Sequence, residues 1–462
     1  MNSLKPLWTR KPKEISDEEY NNFYKSLTGD SNEPLAHSHF VAEGDVEFTG
    51  LLYVPAEANH TRFEKSTTDL KLYVKRVFIN DQVQGLLPRF LAFLKGLVDS
   101  DDLPLNVSRE MLQQSKLLNM IKKKLVRKAI AMFQALEDDK EKYEKFYKNY
   151  GTNLKLGVIE DTSNRERLAK LLRFYTYKHQ SDLVSFQEYV DEMKPNQKDI
   201  YFLGGETKEA ILNSPLLERL VKKGYDVLLM VDPIDEYLVS AYTKFDKFKL
   251  KNLGKEELKL KEDEDEMKQM KDEFKPLLEY LKTVLPDVQQ IVLSSRLTRT
   301  PAALVSSSFG ISANQERILR AQALADEKTR QMFNAKFGRI FEVNPFHPLV
   351  KQLNDMVKEE KRTEAKDLAD LLFDTALLYS GYSVPEPRQF AEKVYKMMSV
   401  SLGLDLDEIE KVQETLEKQA EEEGATEETT EPEPETEQEK LERLADEFSQ
   451  KAQREAEDKD EL

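Results

Sequence analysis

The chain has 462 residues and no cysteine; 39% of its residues are hydrophobic and 34% are charged. This length exceeds one ordinary hydrophobic core, so two or three domains are expected. The lack of cysteine excludes disulfides and thiolate metal sites. No apolar run of about 18 residues occurs, which excludes a membrane-spanning helix, and no basic-then-apolar signal peptide opens the chain.

The negative charge is concentrated at the C-terminal end. The formal net charge is −17, and residues 404–462 carry all of it, with 24 acidic and 7 basic residues. Such a segment cannot bury enough apolar surface to offset the entropy cost of ordering, so we expect a disordered acidic tail. Its charge disfavours nucleic acid as a partner and is compatible with weak calcium binding.

The first 150 residues open with strand patterns and close with helical ones. β-Branched and aromatic runs predict strands at 37–43, 46–54 and 70–79. A broad apolar face predicts a helix over 83–98. A long helical stretch, with breaks, is expected over residues 108–150.

Histidines and basic residues in this region do not indicate a site by themselves. His37 and His39 can share one strand face and hold a metal, but without a third ligand surface histidines are the simpler interpretation, and no metal site is predicted. The basic run IKKKLVRK at 121–128 lacks interleaved aromatic residues, so a solvated helix face is favoured over nucleic-acid binding. No phosphate-binding glycine loop and no nucleophile–base pair is recognisable in the sequence.

Helix and strand patterns then alternate. Helices are predicted at 165–174 and 208–223, and strands at 199–203 and 225–231. Two unbroken apolar strands joined by a helix predict a βαβ unit with a parallel sheet.

A highly charged stretch at 251–273 separates this region from a third folded unit. That unit is predicted to contain a strand at 290–293 and helices at 313–324, 364–379 and 387–402.

The last two of these helices carry more apolar surface than they can bury against each other. Helices of a second copy are the natural cover, so a homodimer is predicted, and packing within the same chain is the alternative. The residues assigned to this interface are Leu368, Leu371, Leu372, Leu378, Phe390, Val394, Met397 and Leu402.

The segment DSDDLPLNVSREMLQQ at 99–114 can hold an anion. Ser108 can cap a helix that begins with Arg109, and a guanidinium beside free backbone N–H groups makes an anion site. The alternative is an arginine held by the neighbouring Asp101, Asp102 and Glu110. Spacing alone favours that alternative.

The C-terminus matches the receptor-read retrieval address of the endoplasmic reticulum. A lumenal address without an entry signal leads us to expect that the natural N-terminus lies upstream of Met1. Of two N-glycosylation sequons, Asn59 is the better candidate, because Asn106 lies in the arginine segment. The residues of the retrieval signal are Lys459, Asp460, Glu461 and Leu462.

Long, collinear stretches of the chain resemble the ninety-kilodalton heat-shock chaperones. SDDLPLNVSREMLQQ is similar to the catalytic loop of that family's middle domain, and the terminal Lys-Asp-Glu-Leu resembles its endoplasmic-reticulum branch. The resemblance covers almost all of the chain up to Gly403. Further similar segments are KPLWTRKPKEISDEEYNNFYKSL, LYVKRVFI, GTNLKLGVIEDTSNRERLAKLLRF, ERLVKKGYDVLLMVDPIDEY, SSRLTRTPAALV, ANQERILRAQAL and NPFHPLV.

The resemblance implies a multi-domain α/β (α+β) fold. An α-β-α sandwich middle domain would occupy 1–150 and 151–255 in two parts, followed by a mixed α/β C-terminal dimerisation domain at 256–403 and the disordered acidic tail at 404–462. The family's ATP-binding domain is expected to precede Met1, so this chain alone is not expected to hydrolyse ATP.

The same resemblance implies roles for individual residues. Arg109, supported by Gln113 and Asn106, would reach the γ-phosphate of ATP, which is bound with Mg²⁺ in the N-terminal domain, and stabilise charge during phosphoryl transfer. Unfolded clients would contact Trp8 and the helix at 313–324, whose apolar surface is thinned because an isoleucine and a glutamine replace the family's Trp and Met. The residues assigned to client binding are Trp8, Ile311, Gln315 and Leu319.

The resemblance therefore predicts a homodimeric chaperone of the endoplasmic reticulum lumen. It would bind unfolded or maturing client proteins and the retrieval receptor, but neither nucleic acid nor a membrane. The alternative is a truncated fragment without ATPase activity that dimerises with full-length chaperone and modulates it, or that buffers calcium.

Overall fold

A computed structural model describes residues 5–58, 69–81, 85–103, 116–195, 197–255, 270–286, 288–322, 338–404, 411 and 415. The predicted acidic tail lies outside this range except at its first residue and at two isolated positions. By compactness the chain divides into two units, residues 1–385 and 386–462, which are described separately.

The first sheet has five strands in the order β1-β2-β5-β3-β4, and β3 and β5 form its one parallel pair. Its side chains belong to a core that continues into the second sheet and includes Leu52, Val98 and Phe133. The strands are β1 Ala36–Ala42, β2 Phe48–Val54, β3 Asp69–Val74, β4 Val77–Asn80 and β5 Lys95–Ser100.

Two predictions for this region are wrong. The predicted helix at 83–98 is instead a 3-10 turn at Arg89–Leu91 followed by β5, because a central strand buried on both faces is as continuously apolar as a buried helix. The predicted single strand at 70–79 is a hairpin, which turns at Lys75 and Arg76 with φ of 51° and 67°.

Three helices accompany this sheet: α1 Asp17–Thr28, α2 Lys116–Leu136 and α3 Lys140–Glu160. Helix α1 begins with a capping box in which Ser16 and Glu19 each bond the other's backbone N–H. The predicted long helix is broken between α2 and α3, where Asp139 accepts from the N–H of Lys142 and starts α3.

The second sheet has six strands in the order β10-β11-β8-β9-β6-β7. The predicted parallel βαβ unit is confirmed, because β8 pairs with β9 in parallel at Phe202 and Leu228. Its strands are β6 Arg173–Thr176, β7 Val184–Ser185, β8 Asp199–Gly204, β9 Leu228–Met230, β10 Lys244–Phe245 and β11 Phe248–Asn252.

The helices of this region are shorter than predicted. The helix predicted at 165–174 ends at Lys170, and β6 takes its remainder. The helix predicted at 208–223 is interrupted by a 3-10 turn at Pro215–Leu217. The helices are α4 Arg165–Lys170, α5 Phe186–Asp191, α6 Lys208–Leu212, α7 Glu218–Lys222 and α8 Ile234–Ala241.

The third region combines a three-stranded sheet, in the order β12-β14-β13, with four helices. Strand β12 and the helices that begin at Ala313 and Arg362 were predicted, whereas β13, β14 and two helices were not. The elements are α9 Lys275–Val284, β12 Gln290–Leu293, β13 Ala302–Ser306, α10 Ala313–Gln322, β14 Arg339–Val343, α11 Pro348–Lys358 and α12 Arg362–Tyr379.

The second unit contains α13, Pro387–Ser401, which has no buried residue. Together the sheets and helices form the mixed α/β fold that the sequence predicts. The domain boundaries stay predictions; position 150 lies inside α3. No helix among the described residues is long and apolar enough to cross a bilayer.

Candidate functional site

Several predicted site residues lie outside the described part of the chain. These are the arginine-segment residues Asn106, Arg109 and Gln113, the sequon residue Asn59, and the terminal residues Lys459, Asp460, Glu461 and Leu462. Their roles stay predictions.

Trp8 is half-buried on the first sheet. Its indole N–H donates to Asp99 Oδ2 at 2.8 Å. Its ring centroid lies 5.0 Å from that of Tyr73 and 5.9 Å from that of Phe23. The backbone carbonyl of Trp8 also contacts His39 Nε2 at 3.1 Å. Trp8 therefore anchors the N-terminal segment, with part of its ring left accessible.

His37 and His39 are held by other side chains. Both ring nitrogens of His39 are engaged, Nδ1 with the Tyr20 hydroxyl at 2.8 Å and Nε2 with the Trp8 carbonyl. His37 stacks on Tyr20 with ring centroids 4.0 Å apart. Burial lowers the pKa of both imidazoles. Packing accounts for this pair better than metal ligation.

Helix α10 begins with a reciprocal cap. The N–H of Ser312 donates to Gln315 Oε1 at 3.1 Å, and the N–H of Gln315 donates to Ser312 Oγ at 3.3 Å. This is a Ser-x-x-Gln capping box; the pattern is present in the sequence at 312–315, but the cap was not predicted. The Gln315 side chain thus starts the helix, while Leu319 lies half-buried one turn further on.

A polar chain joins α10 to the second sheet. Asn314 donates to Glu236 Oε1 at 2.8 Å and accepts from Arg317 Nη2 at 3.0 Å. A Cβ at Gly204 would come within 2.6 Å of the same Glu236 oxygen, so the absence of a side chain permits this approach. Burial raises the pKa of Glu236, which makes the Asn314 hydrogen bond important for holding its charge.

An open cleft lies beside this chain of hydrogen bonds, with a cavity volume of about 340 Å³. It is lined by the carboxyl end of β8, the start of α10, residues 378–382 at the end of α12 and Leu304. The cleft was not predicted, because its walls are segments far apart in the sequence that only folding brings together.

Large apolar side chains are exposed in the cleft and in the segment that leads into α10. Phe309 is fully exposed at 102%, and Ile311 is 41% exposed just before α10. Leu378 and Tyr379, which line the cleft, are 48% and 49% exposed. The arrangement offers apolar contact and a few hydrogen-bonding groups, which suits the binding of apolar segments.

Hydrogen bonds link the second and third regions, which both contribute residues to the cleft. The Glu218 carboxylate accepts from the backbone N–H groups of Thr298 and Arg299 at 2.6 and 2.8 Å and from the Thr300 hydroxyl at 2.6 Å. Arg296, 2% exposed, donates to the Leu253 carbonyl at 2.5 Å. These bonds connect the second sheet with the third, and the core between them includes Leu253 and Val305.

The predicted dimer residues divide by burial. In α12, Leu372 is 6% exposed and Leu368 packs against the same core, so both stabilise their own domain. Leu371 is half-buried, whereas Leu378 is exposed. In α13, Phe390 and Val394 are half-buried, whereas Met397 and Leu402 are 52% and 74% exposed.

Comparison with known proteins decides the family. A family model described as Hsp90 protein matches residues 1–459. The chain belongs to the Hsp90 family. The Endoplasmin homolog of Arabidopsis thaliana is 43% identical over 439 residues, covering 88% of this chain and 53% of that protein. The Endoplasmin homolog of Hordeum vulgare is 43% identical over 446 residues, covering 90% of this chain and 55% of that protein.

This Hsp90-family chain also resembles a solved structure. The middle domain of a Plasmodium falciparum heat shock protein is 36% identical, with a TM-score of 0.50, covering 54% of this chain and 100% of that structure. The chain spans about half the length of the curated relatives that it matches. Membership of the Hsp90 family confirms the resemblance read from the sequence.

Proposed function

We propose that this Hsp90-family chain is a chaperone subunit that binds unfolded or maturing proteins at the cleft beside α10. Family membership supports a chaperone role, and one observation supports the location. Leu378 and Tyr379 expose apolar surface in the open cleft, and Phe309 and Ile311 expose more in the segment that leads into α10, whose first residues line the cleft. Unfolded chains differ from folded ones in presenting apolar segments, and such a surface can bind them without sequence specificity.

Suppression of aggregation tests this proposal. The chain should reduce the light scattering of heat-denatured citrate synthase, and Phe309→Ser combined with Ile311→Ser should remove at least about half of that suppression. The matched control is Val41→Ser combined with Val77→Ser, two residues that are 58% and 52% exposed on the first sheet. Equal suppression by both double variants and the unaltered chain would place client binding elsewhere.

The proposal includes residence in the endoplasmic reticulum lumen. It is supported by the terminal residues 459–462 and by the similarity to two proteins named endoplasmin homologs. Deletion of those four residues should cause cultured cells to secrete the protein into the culture medium instead of retaining it in the lumen. Unchanged retention after the deletion would count against a retrieval receptor as a partner.

ATP dependence forms a further part of the proposal. The resemblance assigns Arg109 to the γ-phosphate and Gln113 and Asn106 to its support, with ATP and Mg²⁺ held on a nucleotide-binding domain joined to this segment. A phosphoryl group in transfer gains negative charge that a guanidinium stabilises. Arg109→Ala in a chain carrying that domain should lower kcat by about tenfold or more while ATP binding is kept.

Homodimerisation and weak calcium binding complete the proposed function. The exposed apolar residues of α13 support the first, and the 24 acidic residues of 404–462 support the second. Deletion of residues 421–462 should remove most calcium binding measured by calorimetry. An unchanged isotherm would place the calcium sites in the folded domains.

A further inference from the structure

Three side chains that could ligate a metal converge on the second sheet. His179 lies in the loop after β6, Glu192 caps the C-terminus of α5, and Asp226 lies just before β9. One ligand atom from each lies within 4.8 Å of the other two, and this is the one such group of three among the described residues. No metal site was predicted here from the sequence. The three positions are separated by 13 and 34 residues in a charge-rich region, so their spacing does not form a recognisable ligand motif.

The loop that carries His179 is tightly constrained. The N–H of His179 donates to Thr176 Oγ1 at 2.9 Å, and the N–H of Thr176 donates to the His179 carbonyl at 3.1 Å. The next N–H groups bond the segment before β9, Tyr177 to the Val227 carbonyl at 2.9 Å and Lys178 to Asp226 Oδ1 at 3.0 Å. The backbone of His179 is thereby fixed beside Asp226.

Asp226 is buried, and backbone N–H groups hold its carboxylate through Oδ1. It is 7% exposed, and its Oδ1 accepts the N–H groups of both Lys178 and Val227. Its backbone carbonyl accepts from the Tyr189 hydroxyl at 2.7 Å. These contacts hold the carboxylate in place through Oδ1 and the backbone, which leaves Oδ2 as the oxygen to offer a metal ion.

Glu192 completes the group from the solvent side. Its Oε2 lies 2.9 Å from His179 Nε2, and its side chain is 46% exposed. A tetrahedral zinc ion places neighbouring ligand atoms about 3.3 Å apart. The observed separations therefore require only small side-chain movements, and the exposed glutamate can make them.

We propose that His179, Glu192 and Asp226 form a binding site for a divalent transition-metal ion of the zinc type, with water as the fourth ligand. One imidazole nitrogen with two carboxylate oxygens is a donor set that zinc accepts and that calcium, which prefers oxygen ligands only, does not. A bound ion would connect the loop after β6, the end of α5 and the start of β9, and would so stabilise the second sheet. This inference is independent of the proposed client binding.

Calorimetry with zinc chloride on the full chain, freed of metal by chelation, tests the proposal. We expect one site per chain that is not filled by calcium, and a cobalt(II) complex with the visible absorption of tetrahedral coordination. His179→Gln should abolish the cobalt absorption and weaken zinc binding by at least about tenfold. Glu192→Gln, at an exposed position that does not threaten folding, should weaken it in the same direction.

Asp191→Asn is the matched control. It removes one negative charge adjacent to Glu192, from an exposed side chain that accepts a hydrogen bond from Gln187, and should leave zinc affinity unchanged. Zinc binding that survives unchanged in His179→Gln and Glu192→Gln belongs to other histidines or to the tail carboxylates and overturns the proposal. The absence of any site of unit stoichiometry in the unaltered chain also overturns it.

Discussion

Lys155 shows how a single buried charge holds two helices together. It is 3% exposed in α3, and its Nζ lies 2.6 Å from Asp232 Oδ2 and 2.7 Å from Asp235 Oδ1. Asp235 is 2% exposed in α8, and burial raises its pKa to about 6 even though Lys155 opposes that shift. Removing the ammonium would leave the carboxyl group without its counter-charge.

Lys155→Met is therefore expected to destabilise the fold by about 3–5 kcal/mol, measured by urea denaturation followed by circular dichroism. Lys145→Met is the control on the same helix, because the ion pair of Lys145 with Glu57 at 3.0 Å is exposed on both sides. That variant should cost no more than about 1 kcal/mol. If the two variants lose the same free energy of unfolding, the buried ion pair stabilises the fold no more than the exposed one.

The Glu218 carboxyl group makes the stability of the fold depend on pH. Burial alone would raise its pKa, but hydrogen bonds from Thr300 and from the backbone N–H groups of 298–300 outweigh burial and hold the pKa below its usual value. A carboxyl group with a depressed pKa stabilises the fold above its unfolded pKa of about 4.3, and loses that effect as pH falls through the folded value.

Glu218→Gln should accordingly destabilise the fold by about 1–2 kcal/mol at pH 7. The difference from the unaltered chain should shrink as the pH is lowered from about 5 towards 3, in thermal unfolding monitored by circular dichroism. Glu209→Gln, at an exposed position on α6, should change stability by less than about 0.5 kcal/mol. A Glu218→Gln effect that does not depend on pH would contradict the assignment.

At the scale of elements, β5 depends on a glycine. Gly96 has a φ of +145°, and a Cβ there would lie 2.0 Å from the Leu51 carbonyl oxygen of β2. Gly96→Ala should cost more than about 3 kcal/mol, because the two strands must separate to admit the methyl group. Stability in urea measures the loss.

Gly29→Ala is the control for backbone strain alone. Its φ is +72°, and nothing lies within 4 Å of the added Cβ, so it should cost only about 1–2 kcal/mol. If both alanine variants lose the same stability, the close approach of β5 to β2 is not the reason that position 96 requires glycine.

The same strand marks the limit of sequence-based prediction. Residues 83–98 read as a helix because Leu86, Leu87, Phe90, Leu94 and Leu97 are all apolar, and periodicity alone does not distinguish a buried helix from a buried strand. Helix α12, which has one clear apolar face, and β8, whose apolar run is too short for a helix, were predicted within a few residues. The family was identified from ordered local motifs, whereas the cleft depends on segments brought together only by folding.

At the scale of the whole molecule, helix α13 predicts the oligomeric state. Tyr395, Met398 and Val400 are 63%, 53% and 58% exposed, more apolar surface than an isolated helix keeps in water. Light scattering should give twice the chain mass of 53.6 kDa. Met398→Glu combined with Val400→Glu should reduce it to the monomer mass.

Val77→Glu is the control for this experiment, since it introduces a charge at an exposed apolar position on the first sheet and should leave the dimer intact. If the unaltered chain is monomeric at micromolar concentration, the predicted homodimer is contradicted.

The central claim is that unfolded proteins bind the apolar surface beside α10. Photo-crosslinking tests it directly, with benzoylphenylalanine placed at position 309, or at position 41 as the control, and with heat-denatured citrate synthase as the client. We predict crosslinks to the denatured client from position 309 and none to the native protein or from position 41. Crosslinking from position 41 that equals or exceeds crosslinking from position 309 would contradict the assignment of this surface.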